Sequence, residues 1–317
     1  MSGLTRREIL VGTAAGALAG CSRPHGPEPM VSILRAPSYS ADLFDPIRRL
    51  LAAHKVAVRG KRVVLKPNLV EYDPGTTINT HPAIVAAALE AFRSLGAASV
   101  RIAEGPGHRR NTLELAEAAG YFQAIPKFEE LFTDLNLDDI ERVHLPTPHS
   151  RVKSFYLPRT ALACDLLVSI PKMKCHHWVG ATLSMKNLFG LVPGGVYGWP
   201  KNVLHWAGIE GCIADLHALF PRGFALVDGI VGMEGNGPIQ GTPKQAGVIV
   251  GGSDRVAVDA TCCRIMRIDP ARVAYLKLAE DNAQTRESRV RQLGETVRSV
   301  QTRFELLPEF RDLRLKA

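Results

Sequence analysis

Short apolar runs recur along this chain, and polar or glycine-rich residues cut each one off. Val31–Arg35, Arg62–Leu65, Val100–Ala103, Leu166–Ile170, Phe224–Val227 and Gly247–Val250 have the length and β-branched content of buried strands, with another near Val143. Segments of helical spacing lie between them. Asp45-Pro46-Ile47 opens a helix through Ala53. Thr80 is a plausible cap for a second, in which Ile84, Val85, Ala88, Leu89, Phe92 and Leu95 share one face. Further helices are expected from Asn111 or Thr112, near Phe128–Leu135, over Gly208–Phe220, from Ser253 or Asp254 through Met266, and from Pro270; an edge strand is expected near Val297. Such alternation predicts an α/β fold: a mostly parallel sheet with helices on both faces, and a ligand site at the carboxyl ends of the strands.

The residues at those ends are the kinds that hold ligands. Lys66 and Asn68 follow one strand, and Glu104 and His108 another. Lys172, Lys174 and His176 follow a third, Asp228, Glu234 and Asn236 a fourth, and Ser253 and Asp254 a fifth. The richest stretch is Asp165–Gly208. There Pro171 closes the apolar run, and Lys172, Lys174, His176, His177, Thr182, Lys186 and Asn187 follow within sixteen residues. A buried lysine or histidine is costly without a partner or a task. A solvated loop, for its part, rarely carries Trp178, Phe189, Trp199 and Trp206 among such residues.

Each group has a specific chemistry and a blander alternative. Lys186, among Leu183, Leu188 and Phe189 in a helix expected from about Thr182, would have a lowered pKa. It would then serve as a nucleophile or attachment point, or simply bind an anion as a point charge. His176 and His177 cannot both face one point on a regular backbone, so one acts while the other packs or orients. His205 is a metal ligand or a structural histidine. His108 opens a helix, where backbone N–H groups favour anions. Lys66 and Asn68 suit an anion by charge and amide, or form a turn. Glu234 and Asn236 suit a substrate loop but match no nucleotide fingerprint. Lys172, Lys174 and Asn187 would line a bound group beside Lys186.

A hydrophobic fraction of 46% with 22% charged residues describes an ordinary globular protein. The net charge of +8 is spread along the chain, and no basic run alternates with stacking aromatics, so nucleic acid is not an expected partner. Thr5-Arg6-Arg7-Glu8-Ile9-Leu10 and the small-residue run to Leu18-Ala19-Gly20-Cys21 read as a twin-arginine lipoprotein leader over residues 1–20, with Cys21 lipidated. Residues 21–30 would then be a tether and 31–317 one large domain. The expected protein is exported and membrane-anchored, with the twin-arginine translocase as its export partner. Among the remaining cysteines (164, 175, 212, 262 and 263) none has C-x-x-C spacing, which speaks against a disulfide framework and an iron–sulfur cluster. Cys175, inside the polar stretch, is the one cysteine with a claim to reactivity.

PKMKCHHWVGATLSMKNLFGLVPGG with the later His205, and VDGIVGMEGNGPIQGTPKQAGVIVGGSDRVAVDA, resemble the bacterial and archaeal family known as domain of unknown function 362. KPNL and THPAIVAAALEAFRSLGA extend the resemblance over residues 63–270. That family has no assigned reaction. A more distant likeness links Gly107-His108-Arg109, Thr112 and Glu114 to the nickel-pincer lactate racemases. His176, Lys186, Val192-Pro193-Gly194 and His205 follow in that family's order. The likeness implies that His108 and His176 exchange the substrate hydroxyl proton, that Lys186 carries a nickel-pincer nucleotide and that His205 binds nickel. Pro106 stands where that family has Thr, and the glycine pair before Lys186 is absent. The expected function is an enzyme of racemase or epimerase type acting on a small anionic or hydroxylated substrate. The alternative is a non-catalytic anion- or metal-binding surface protein.

Overall fold

The computed structural model describes residues 28–281 and 283–316. The expected leader, Cys21 and most of the tether therefore lie outside the described residues; Met30, the tether's last residue, already belongs to the first strand. Six strands lie in the first half of the chain: β1 (Met30–Arg35), β2 (Arg62–Pro67), β3 (Ser99–Glu104), β4 (Phe132–Asp134), β5 (Ile140–His144) and β6 (Ser154–Pro158). Six follow: β7 (Leu166–Ile170), β8 (Lys172–His176), β9 (Gly180–Thr182), β10 (Gly223–Glu234), β11 (Thr242–Gly252) and β12 (Arg291–Gly294). All except β5 and β6, which form their own hairpin, join one sheet in the order β12-β1-β11-β10-β7-β2-β3-β4, with β8 paired to β10 and β9 to β8.

β10, β7, β2, β3 and β4 are parallel neighbours, and β8 runs parallel to β10. β11 is antiparallel to both β1 and β10, which makes the sheet mixed but mostly parallel. Both faces are covered because successive strand side chains point to opposite sides. On β7, Leu167 joins one core, and Leu166, Val168 and Ile170 the other. Helices Phe44–Ala53 and Pro82–Ser94 pack their apolar stripes (Ile47, Leu50, Leu51; Ile84, Val85, Phe92) on the second face. Helices Ile209–Leu219 and Arg255–Ile265 cover the first. Each such side chain contributes roughly 1.5–3 kcal/mol on burial.

Several boundaries differ from the sequence reading. His81, not Thr80, caps Pro82–Ser94, its Nδ1 accepting from the Ala83 N–H at 3.2 Å. The Thr80 hydroxyl instead donates to the Ile170 carbonyl at 2.6 Å and accepts from the Asn68 N–H, tying the ends of β7 and β2 together. The helix at Phe128 stops at Leu131, and β4 takes over. Val297 lies in a short helix, Val297–Val300, and the edge strand is β12 just before it. Lys186 begins a 3₁₀ helix, Lys186–Leu191, rather than lying early in an α-helix from Thr182. Lys172–His176 is itself a strand, and β10 continues past Asp228 to Glu234.

Candidate functional site

A cleft of about 530 Å³ lies beyond the carboxyl ends of β2, β3 and β8. It is lined by Lys66, Asn68, His108, Lys174, His176, Trp178, Thr182, Lys186, Asn187, His205 and Asn236 from the sequence reading, together with Lys201. Groups from remote parts of the chain thus meet at one rim of the sheet.

Lys66 and Glu104 form the floor. Their Nζ–Oε2 distance is 2.6 Å, and both are essentially without solvent contact. Lys66 also donates to Asn187 Oδ1 and to the Pro67 carbonyl, and Glu104 accepts from the N–H groups of Leu69 and Gly105. The pair is saturated, so Lys66 is a fixed part of the cleft wall rather than a free anion receptor. Asn187 is equally committed, with Nδ2 donating to the Lys66 carbonyl and Ser169 Oγ.

Lys186 is different. No hydrogen-bond acceptor reaches its Nζ among the described residues; the nitrogen lies 3.8 Å from the centroid of the Phe189 ring. Burial, then the charge of Lys66, lowers its pKa to about 7, so much of it is a free amine at neutral pH. Its position is fixed from behind. The buried Asp259 carboxylate accepts from Ser184 N, Ser184 Oγ and Met185 N at 2.8, 2.6 and 2.9 Å, immediately before Lys186.

The hydrogen-bond partners assign the histidine tautomers. The Trp178 N–H donates to His176 Nδ1 at 3.0 Å, so neutral His176 carries its proton on Nε2. His177 Nδ1 donates to the Gly237 carbonyl and His205 Nδ1 to the Lys201 carbonyl, leaving both Nε2 atoms as lone-pair donors. Burial and then the Lys186 charge hold His176 well below the usual imidazole range and bring His205 to about 4, so both are neutral at pH 7. His108 is more exposed, with Nδ1 3.7 Å from Glu71 Oε2 at the rim. Among the described residues, no group of three or more His, Cys, Asp and Glu side chains could hold a metal ion.

Lys201 escaped the sequence reading. It is 2% exposed, adopts a left-handed backbone (φ 69°) and donates to the carbonyls of Gly105 at 2.6 Å and Phe189 at 2.7 Å. Burial lowers its pKa to about 7. Its sequence context, Trp-Pro-Lys-Asn, carries no periodicity or motif that would single it out.

Several expected contributors lie elsewhere. Lys172 donates to Asp228 Oδ2 at 2.6 Å and to the Tyr39 hydroxyl at 2.8 Å, in a closed cluster outside the cleft. Glu234 pairs with Lys244 at 3.1 Å and accepts from the Glu305 N–H, so it too stands outside. Ser253 and Asp254 end β11, which runs antiparallel to β10, and so sit at the opposite rim. Asp254 there caps Arg255–Ile265. Cys175 faces the core with its thiol pushed up to about 12 by burial, which makes it unreactive.

Fold and site together define an α/β protein with a lysine- and histidine-lined cleft at the strand ends. The chain belongs to the family described as domain of unknown function (DUF362), whose profile matches residues 63–264. The thylakoid-associated protein sll1697 of Synechocystis sp. is 30% identical over 263 residues, which cover 79% of this chain and 78% of that protein. Among solved structures, the lactate racemase apoprotein from Thermoanaerobacterium thermosaccharolyticum aligns with a TM-score of 0.47 at 16% identity. That alignment covers 76% of this chain and 57% of the racemase, so the chain spans little more than half of that protein.

Proposed function

We propose that the cleft is the active site of an enzyme acting on a small anionic substrate with a hydroxyl- or carbonyl-bearing carbon. Lys186 is its covalent amine, and His176 donates a hydrogen bond to the substrate oxygen. The observation that supports this best is Lys186 itself: a partly buried amine at the cleft, without an acceptor, with a pKa of about 7. Such a group attacks carbonyl carbon at neutral pH, losing water to form an imine. His176, neutral with its proton on Nε2, can donate a hydrogen bond to a substrate oxygen and stabilise negative charge that develops there.

The donor set also fits a lysine-tethered cofactor that brings its own metal ligands. Lys186 would carry it, and the free Nε2 of His205 would add a single protein ligand. A nickel-pincer group held in this way supplies reversible hydride acceptance from a hydroxyl-bearing carbon. The protein's own residues would bind the substrate anion and move the hydroxyl proton.

Native protein is to be examined by intact mass and metal analysis, then treated with glyoxylate and borohydride. Extra mass confined to Lys186, and absent from Lys186→Ala, is expected. Bare protein with adducts scattered over surface lysines would overturn the reading and favour a non-catalytic anion-binding protein. For export, we propose the twin-arginine route with Cys21 as the lipid anchor. Cys21→Ala should lose palmitate label and membrane fractionation; unchanged fractionation would remove the anchor.

A further inference from the structure

Two buried lysine side chains in the cleft share an unusual arrangement. Lys174 Nζ donates to the carbonyls of Ile78 at 2.9 Å and Pro238 at 3.2 Å, and Lys201 Nζ to those of Gly105 and Phe189. A protonated lysine has three N–H donors. Each, when protonated, therefore has two donors tied to neutral carbonyls and one left over, and both side chains line the cleft. Neither has a carboxylate of its own: the floor acid, Glu104, is already committed to Lys66. A buried ammonium held only by neutral oxygens is electrostatically incomplete.

The unpaired acceptors of the cleft add a second observation. Asn68 Oδ1 and Thr182 Oγ1 are buried without hydrogen-bond partners, on residues 8% and 4% exposed that both line the cleft. Native structures seldom leave such atoms unmatched, so their partners belong to a ligand or its water. The cleft is thus built to receive something polar, and its surplus charge is positive.

We propose that Lys174 and Lys201 are paired anion anchors, so that the ligand of this cleft carries two negative charges, as a dicarboxylate or a phosphorylated acid does. The inference rests on the reading of Lys186 as the reactive amine and adds the substrate class. A single carboxylate would neutralise one anchor and leave the other buried and uncompensated. Two anionic groups satisfy both without calling on Lys186 as a counter-charge. The electrostatics agree. Burial, with the Lys66 charge, lowers the pKa of both anchors, and a bound dianion favours their charged forms as a neutral ligand would not.

The test is calorimetric titration at fixed ionic strength with L-malate, 2-phosphoglycolate and L-lactate. One of the dianions should bind at least tenfold tighter than L-lactate, and which one it is separates dicarboxylate from phosphate recognition. Lys174→Gln and Lys201→Gln each retain an N–H donor for the carbonyl contacts but lose the charge. Each should bring the preferred dianion to within about threefold of L-lactate measured on the same variant, with thermal melting reporting an intact fold. Equal affinities for all three probes in the unaltered protein, no measurable binding among them, or a preference that survives both substitutions would overturn the proposal. A dianion preference that persists while borohydride trapping fails would instead sink the covalent role of Lys186 alone.

Discussion

Lys172 and Lys186 stand fourteen residues apart in the same basic stretch, and their surroundings are opposite. Lys172 is enclosed by Asp228 and Tyr39, whose ring stacks on His81 at 3.7 Å, and every charge there has its counterpart. Lys186 has an aromatic face beneath it and no acceptor. Burial of a lysine therefore does not by itself mark chemistry. What separates scaffold from site is whether the protein has supplied the partner or left that to something else.

The contrast breaks hardest at Asp228. Asp228→Ala leaves the Lys172 ammonium buried and uncompensated, and urea unfolding should show a loss of about 3–5 kcal/mol. A loss below about 1 kcal/mol would mean that the cluster does not hold the sheet together. Next comes Asp259, which anchors the residues before Lys186. Asp259→Ala strands three donors and should cost about 2–3 kcal/mol by the same measurement, with slower trapping at Lys186. Stability unchanged by this substitution would disconnect Asp259 from the site.

The pH dependence sharpens the comparison further. Lys186 and Lys201 fall to about 7 in the folded protein from an ordinary value of 10.5, so between those values the unfolded chain binds more protons. Stability gained from these two groups thus rises as pH increases from about 7 towards 10.5, by at most about 1.4 kcal/mol per pH unit for each. Below about 7 both are protonated in either state and add no slope. Denaturation across this range should show a shallower rise in Lys186→Met than in the unaltered protein; identical slopes would contradict the lowered value. Lys186→Met at pH 7 itself should differ in sign. Replacing a buried, unpaired amine by an apolar chain removes the cost of discharging it on folding, so urea unfolding should show no loss of stability, in contrast to Asp228→Ala, while the adduct is abolished; a loss above about 1 kcal/mol would contradict the lowered value.

Much of the cleft was legible because polar residues follow directly on apolar runs. Lys66, Asn68, Glu104 and His108 needed only the rule that parallel strands present their carboxyl ends to ligands. Lys172 and Glu234 were misplaced because their partners, Tyr39 and Asp228 in one case and Lys244 in the other, are brought in by sheet pairing, which spacing alone does not reveal. Ser253 and Asp254 were misplaced because the apolar runs stop at Val227 and resume at Gly247, a gap long enough for a parallel crossover. β10 and β11 extend into that gap and leave only residues 235–241 between them, too few for such a crossover, so the chain reverses. Lys201 was out of reach, since its role depends on a left-handed backbone and two carbonyls from distant segments.

β8 also limits how this protein can change over time. Lys174 and His176 line the cleft, while the intervening Met173 and Cys175 belong to the apolar core. Removing or inserting one residue at Pro171 would exchange the two sets, driving ammonium groups into the hydrocarbon interior and thioether and thiol into the binding surface. Lineages can therefore retune this wall by replacing side chains one at a time, whereas any odd change in its length would be lost to misfolding before selection could judge its chemistry.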